Sequence, residues 1–272
     1  MVPEATASEG WEARLELGYS ARDGRTVPTT RNHRGPLRVQ KHFEPEPGVC
    51  HHLIVHPPAG MAAGDYLALT IDVGPDAHAQ LATPGATPWY RSLAAPARQA
   101  VTARVEGVLE LLPREHLIFD QARAELRTRV ELGSAGRMIA WEIVALGRTH
   151  GERPFVNGSV ASSTEIYRED ALVFADRMRF AAADPWRTSP LGLGGATVMA
   201  TFLAVGRELP SVLDAARALD SKAGVTQLPH VLVGRWLGHA TEAARSWLEA
   251  MWTIVRPALL DRAAVPLRIW KT

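Results

Sequence analysis

Along the first two thirds of the chain, apolar and polar side chains alternate with a period of two, which is the signature of half-buried strands. Trp11, Ala13, Leu15, Leu17 and Tyr19 fall on one side of the first segment, with Glu12, Arg14 and Glu16 on the other. Asp23-Gly24 then supplies a hairpin turn, and the chain returns through Thr26 to Thr30. Leu37, Val39, Lys41 and Phe43 alternate again, and Cys50 to His56 re-enters as an extended run. Tyr66 to Val73, Ala77 to Thr83, Val101 to Val105 and Val108 to Leu112 repeat the pattern, as do Ala124 to Leu132 and Arg137 to Leu146. Ser162 to Tyr167 and Ala171 to Phe180 close the series. Pro57-Pro58, Gly64-Asp65, Gly74-Pro75 and Asn157-Gly158 punctuate it as turns. The expectation is a β-rich scaffold body over residues 11–184, with no fixed-length repeat.

From residue 185 to 272 the period changes. Val198, Met199, Phe202, Leu203 and Val205 fit a mostly apolar helix, and Pro210-Ser211 with Asp214 opens a second one. Val225 to Pro229 and Val231 to Trp236 read as two short strands that return to the sheet. Thr241 to Leu260 carries Ala244, Trp247, Leu248, Met251, Trp252, Val255 and Leu259 at helical spacing, with Pro257 expected to kink or shorten it. This segment is expected to pack on the same body as one structural unit.

Composition removes several function classes. Hydrophobic residues make up 46% and charged residues 22%, ordinary values for a globular chain. The net charge is +1, with 30 Lys and Arg against 29 Asp and Glu, which leaves no basic footprint for nucleic acid. It also gives little colloidal repulsion, so association with protein partners is in character. One cysteine excludes an internal disulfide and fits a reducing compartment. The start lacks a basic region followed by an apolar core, so the expected location is cytoplasmic. Gly192-Leu193-Gly194-Gly195 lacks the context of a dinucleotide or nucleotide loop.

Candidate chemistry is sparse. Cys50, His51, His52 and His56 are the densest supply of imidazole and thiolate, types that suit late first-row divalent metals. Their spacing is not that of a structural zinc site. Glu110, Glu115, Asp120 and Glu142 sit in or beside apolar strands, where a lone carboxylate is costly unless paired. Trp89, Tyr90 and Arg91 lie in a loop rich in proline and glycine, and Trp247 and Trp252 lie on the long helix; these are candidate partner contacts.

Six blocks in order resemble the urease accessory protein D family, called H in some bacteria. They are GPLRVQ from Gly35, CHHLIVHPPAGMAAGD from Cys50, ATPGATPWYRS from Ala82, LELLPREHLIFDQA from Leu109, WEIVALGRTHGERPF from Trp141 and PLRIW from Pro266. Departures occur at Ala59, where the family pattern has glycine, at Pro88, where it has lysine, and at Leu111 and Arg114. Pro88 removes a positive charge from the contact loop. The resemblance implies a mainly β, extended antiparallel β-helix-like scaffold with a small α-helical C-terminal part. It also implies a non-enzymatic maturation factor that joins apo-urease to the accessory F protein and, through the complex, to the GTPase G. It implies too that no cofactor is held tightly and that nickel is transient cargo, passing through the interior as the urease lysine is carbamylated. Cys50, His52, His56, Asp65, Glu110, Glu115, His116, Asp120 and Glu142 are the side chains expected to line such a polar passage. Two other readings of the residues stand beside this one: an assembly adaptor without metal contact, and a metal-assisted hydrolase or isomerase using Cys50 to His56 and Asp65.

Overall fold

Asp23 and Gly24 both adopt positive φ, 49° and 73°, and so make the tight turn between β1 (Glu12–Arg22) and β2 (Arg25–Arg34). The computed structural model describes residues 10–92, 95–148 and 153–271. After the hairpin, short β3 (Arg38–Val39) pairs with β4 (Val49–Val55). From there the chain alternates between two facing sheets. β5 (Tyr66–Val73) lies in the first, and β6 (His78–Ala82) and short β7 (Thr87–Trp89) in the second. β8 (Ala97–Val105) returns to the first sheet, and β9 (Val108–Leu112) and short β10 (His116–Ile118) to the second. β11 (Arg123–Leu132), β12 (Arg137–Leu146) and β13 (Ser159–Arg168) continue the alternation, and β14 (Ala171–Ala181) folds back on β13.

This coiling corrects one expectation. The body is mainly β and β-helix-like, but its central ladders are parallel: β5 with β8, β8 with β11, and β11 with β13 in one sheet, and β4, β6, β9 and β12 in the other. Antiparallel pairing is confined to the flanks. Period-two alternation identifies a strand without fixing the direction of its neighbour. Most of the turns between strands are corners that pass the chain to the opposite sheet. Each strand therefore meets the strand one coil later, running the same way.

The apolar rows facing inward form one core between the sheets, from Leu15, Leu69 and Ala103 through Leu109, Met138 and Leu203. Trp11, assigned by alternation to the inner row, precedes β1 and is 60% exposed.

The C-terminal segment completes the second sheet. β15 (Val198–Val205) pairs antiparallel with β12, β17 (Val231–Gly238) with β15, and β16 (Gly224–Leu228) with β17. β15 replaces the apolar helix expected there. Met199, Leu203 and Val205 face the inner core, while Val198, Ala200, Phe202 and Ala204 face a second core beneath the helices. A strand buried on both faces is apolar throughout, so its sequence carries no period to separate it from a helix.

α1 (Pro210–Arg217) and α2 (Thr241–Leu260) cover the outer face of this sheet. α2 buries Trp247, Leu248, Met251, Trp252, Val255 and Leu259, runs through Pro257, and ends at Asp261 in the left-handed region. No helix among the described residues is long and apolar enough to cross a membrane.

Candidate functional site

Strand register explains why polar atoms collect inside the scaffold. On the first sheet an inward row crosses from Leu69 and Val101 to Thr128, Thr164 and Asp176. The neighbouring row places Gln99 and Ser162 on either side of Leu126. Opposite them, adjacent strands β12, β15 and β17 align Glu142, Thr201 and Arg235. A cavity of about 340 Å³ lies between the two walls. Glu142, Thr201, Thr128, Ser162, Thr164 and Asp176 line its polar end, and Leu67, Leu69, Leu111, Met138 and Leu203 contribute apolar wall.

The second sheet splits beside Glu142. β9 pairs with β12 over Arg137 to Ala140, and β10 resumes the pairing at Val144 to Leu146. Pro113 lies in the break and its carbonyl accepts a hydrogen bond from the Trp141 indole at 2.8 Å. Residues 83–86, between β6 and β7, line the cavity at the same level, so the lining reaches exposed Gly85, Pro57 and Ala59 there. At the far rim it reaches Asp176, which forms an ion pair with Arg235 at 3.0 Å.

Glu142 is the electrostatic centre of this space. Its Oε2 accepts a hydrogen bond from Ser162 at 3.1 Å. Enclosure in the protein pushes its carboxyl up to about 7; the Ser162 bond opposes the rise and the Asp176 charge adds to it. Near neutral pH the group is therefore divided between its acid and its carboxylate.

Three of the side chains expected to line a passage meet here: Glu142, His56 and His116 all border the cavity. The Trp89 indole N–H donates to His116 Nδ1 at 3.2 Å, so that nitrogen is an acceptor and the ring proton sits on Nε2. Burial lowers His116 to about 4 and also lowers His56, whose Nδ1 has no hydrogen-bond partner among the described residues. Both imidazoles are neutral at physiological pH.

The others are placed elsewhere. Cys50 and His52 sit on the inner row of β4; burial raises the thiol to about 12, which suppresses the thiolate a metal would bind. His52 Nδ1 is 2.7 Å from the Tyr19 hydroxyl, and burial holds the ring at about 4. Asp65 fixes a turn by accepting from the backbone N–H of Trp11 and of Ala62 at 2.8 and 2.7 Å. Asp120 caps the Val156 and Asn157 amides at 2.9 and 2.7 Å. The carbonyl of Glu115 accepts from Thr87 N–H, and its side-chain Oε2 is buried without a hydrogen-bond partner among the described residues. Among the described residues no group of three or more His, Cys, Asp or Glu side chains is arranged to hold a metal.

Glu110 belongs to a different structure, on the outer face of the second sheet. It accepts from His78 Nε2 at 2.7 Å, Trp252 Nε1 at 2.6 Å and Arg256 Nε at 3.1 Å. Arg256, fully buried, also donates to Glu46 at 2.7 Å, and Glu46 meets His51 at 3.2 Å. Burial opposes ionisation of Glu110, but the His78 and Arg256 bonds outweigh it and hold the carboxyl at about 2. This network ties α2 to β4, β6 and β9.

Of the candidate contacts, Trp89, Trp247 and Trp252 are core side chains, at most 4% exposed. They offer no surface to a partner in this structure. Tyr90 and Arg91 are exposed, and Tyr90 stacks near Phe119, over which Arg148 sits at 4.4 Å.

Sequence reasoning missed Asp176, Thr128, Ser162, Thr164, Thr201 and Arg235. A signal existed for Asp176 and Thr128: each interrupts an inward row that is otherwise apolar, Phe174–Asp176–Met178 and Leu126–Thr128–Val130. That both rows face the same cavity needed the parallel register.

Comparison with known proteins agrees with the order of motifs. The family model described as UreD urease accessory protein matches residues 12–271. Urease accessory protein UreD 2 of Pseudomonas syringae pv. syringae is 45% identical over 280 residues, covering 100% of this chain and 99% of its own length. Urease accessory protein UreD of Pseudomonas aeruginosa is 43% identical over 277 residues, with 100% and 99% covered. That of Nitrosococcus oceani is 43% identical over 268 residues, with 96% and 90% covered. The chain belongs to the UreD family of urease accessory proteins, a membership that supports a role in urease maturation.

Proposed function

We propose that this protein bridges apo-urease to the accessory F and G proteins in the cytoplasm and passes nickel toward the urease active site through its interior. The observation that carries the proposal is the polar row of Glu142, Thr201, Thr128, Thr164 and Asp176 inside a cavity whose lining reaches the surface at two rims. Nickel is cargo here, so its ligands must let go. Hydroxyl and carboxylate oxygens hold a late first-row cation less firmly than imidazole or thiolate does, and the groups here change partners without bond chemistry. His56 and His116, neutral and at the split in the sheet, add single exchangeable nitrogens. Bridging draws support from Tyr90, Phe119 and Arg148, an aromatic and arginine cluster of the kind that anchors protein interfaces.

The test is co-purification with the accessory F and G proteins and apo-urease, scored for nickel-dependent activation, with wild type against Glu142→Ala. An intact complex with reduced activation is expected. Unchanged activation with the intact complex contradicts the passage and leaves an adaptor without metal contact. Loss of the complex assigns Glu142 a structural role instead.

A further inference from the structure

The ion pair at the far rim joins side chains from the two opposite sheets. Asp176 comes from β14, the edge strand of the first sheet, and Arg235 from β17 of the second. Asp176 lines the cavity, whereas Arg235 is half exposed, its side chain 50% accessible against 32% for Asp176. Arg235 shares its inward register with Glu142, two strands away, so their Cα atoms stand about 10 Å apart across the sheet. An arginine side chain spans much of that distance, and the Asp176 charge is felt at Glu142. One guanidinium therefore sits against the carboxylate that faces Glu142 and neutralises an otherwise doubly acidic end of the cavity.

We propose that Arg235 is a charge-compensating side chain that occupies Asp176 in place of the cation cargo, yields it when a divalent cation arrives, and returns to expel that cation toward the rim. The inference rests on the passage reading above and assigns it an affinity-setting residue. Two carboxylates facing each other without compensation would bind a divalent cation tightly and stop transfer. A buried, multiply bonded arginine such as Arg256 would never move aside, because breaking its pairs strands charges out of water. A half-exposed single pair is screened by solvent and exchanges readily. The contrast between Arg235, with one ion-pair partner among the described residues and at a rim, and Arg256, locked by Glu46 and Glu110, is the contrast between a displaceable counter-charge and a fixed strut.

The experiment is equilibrium dialysis of the purified full chain against nickel sulfate, with the rate of release to a chelator, for wild type, Arg235→Gln, Arg235→Lys and Glu142→Gln. A half-exposed pair is worth up to about 1 kcal/mol, so Arg235→Gln, which no longer competes for Asp176, should hold nickel about three- to fivefold more tightly. It should also release nickel more slowly. Arg235→Lys, which keeps the charge, should stay within about twofold of wild type. If Arg235→Gln fails to fold, Arg235→Met, which keeps the aliphatic stem, is read in the same way. Wild-type binding and release in Arg235→Gln, alongside weakened binding in Glu142→Gln, would overturn the role of Arg235 and leave the passage standing. Equal binding by wild type and Glu142→Gln would overturn the passage reading and this inference with it.

Discussion

At the scale of single residues, two carboxylates that look alike in sequence behave in opposite ways. Glu142 has its carboxyl raised to about 7, so its folded form keeps a proton that the unfolded chain has already lost above pH 4.5. Its enclosure therefore costs stability as pH rises from 4.5 to 7, and Glu142→Gln should stabilise the fold at pH 8 by about 1–3 kcal/mol. Urea unfolding across pH should show that gain shrinking toward zero below pH 4.5; a constant gain at every pH would refute it. Glu110 is the reverse case, held at about 2. Its contribution is complete above pH 4.5 and is lost as pH falls toward 2, and Glu110→Ala should destabilise by about 3–5 kcal/mol at neutral pH by leaving Arg256 short of a partner. Cys50 is buried with its thiol raised, so alkylation of native protein should be negligible and appear only on unfolding. The sequence shows that Glu110 and Glu142 stand in apolar strands. It does not show which face each occupies, because β9 and β12 are buried on both sides. One face meets the cavity and the other meets α2.

At the scale of elements, α2 was legible at its observed boundaries because a strip of Trp247, Leu248, Met251, Trp252, Val255 and Leu259 repeats at helical spacing, with Glu242, Arg245, Ser246, Glu249 and Thr253 off the strip. The hairpin of β1 and β2 was legible for the same kind of reason, a turn dipeptide between alternating runs. β15 was not, since both of its faces are covered. Its partner β17 carries Gly234, where an added Cβ would lie 2.9 Å from the Trp247 ring. Gly234→Ala should therefore push α2 off the sheet and cost about 1–3 kcal/mol, measured by chemical denaturation. A neutral effect would mean that α2 rides loosely on this face.

At the scale of the whole molecule, the coil of parallel strands builds the site. Hairpins would pair each strand with its immediate neighbour in sequence. Coiling instead stacks Thr128 of β11 beside Thr164 of β13, and sets both opposite Glu142 of β12. Direction and register of pairing are long-range properties, which is why the β-rich class was readable from alternation and the polar row was not. On the proposed function, cargo travels through the space those strands enclose. That passage is tested most directly by narrowing the space without removing a charge. The measurement is the nickel content of urease matured with Thr128→Trp, which projects an indole into the cavity from the middle of the first sheet. The expected result is urease with markedly less nickel from a complex that assembles at wild-type yield. Urease fully loaded with nickel by that variant would contradict the passage.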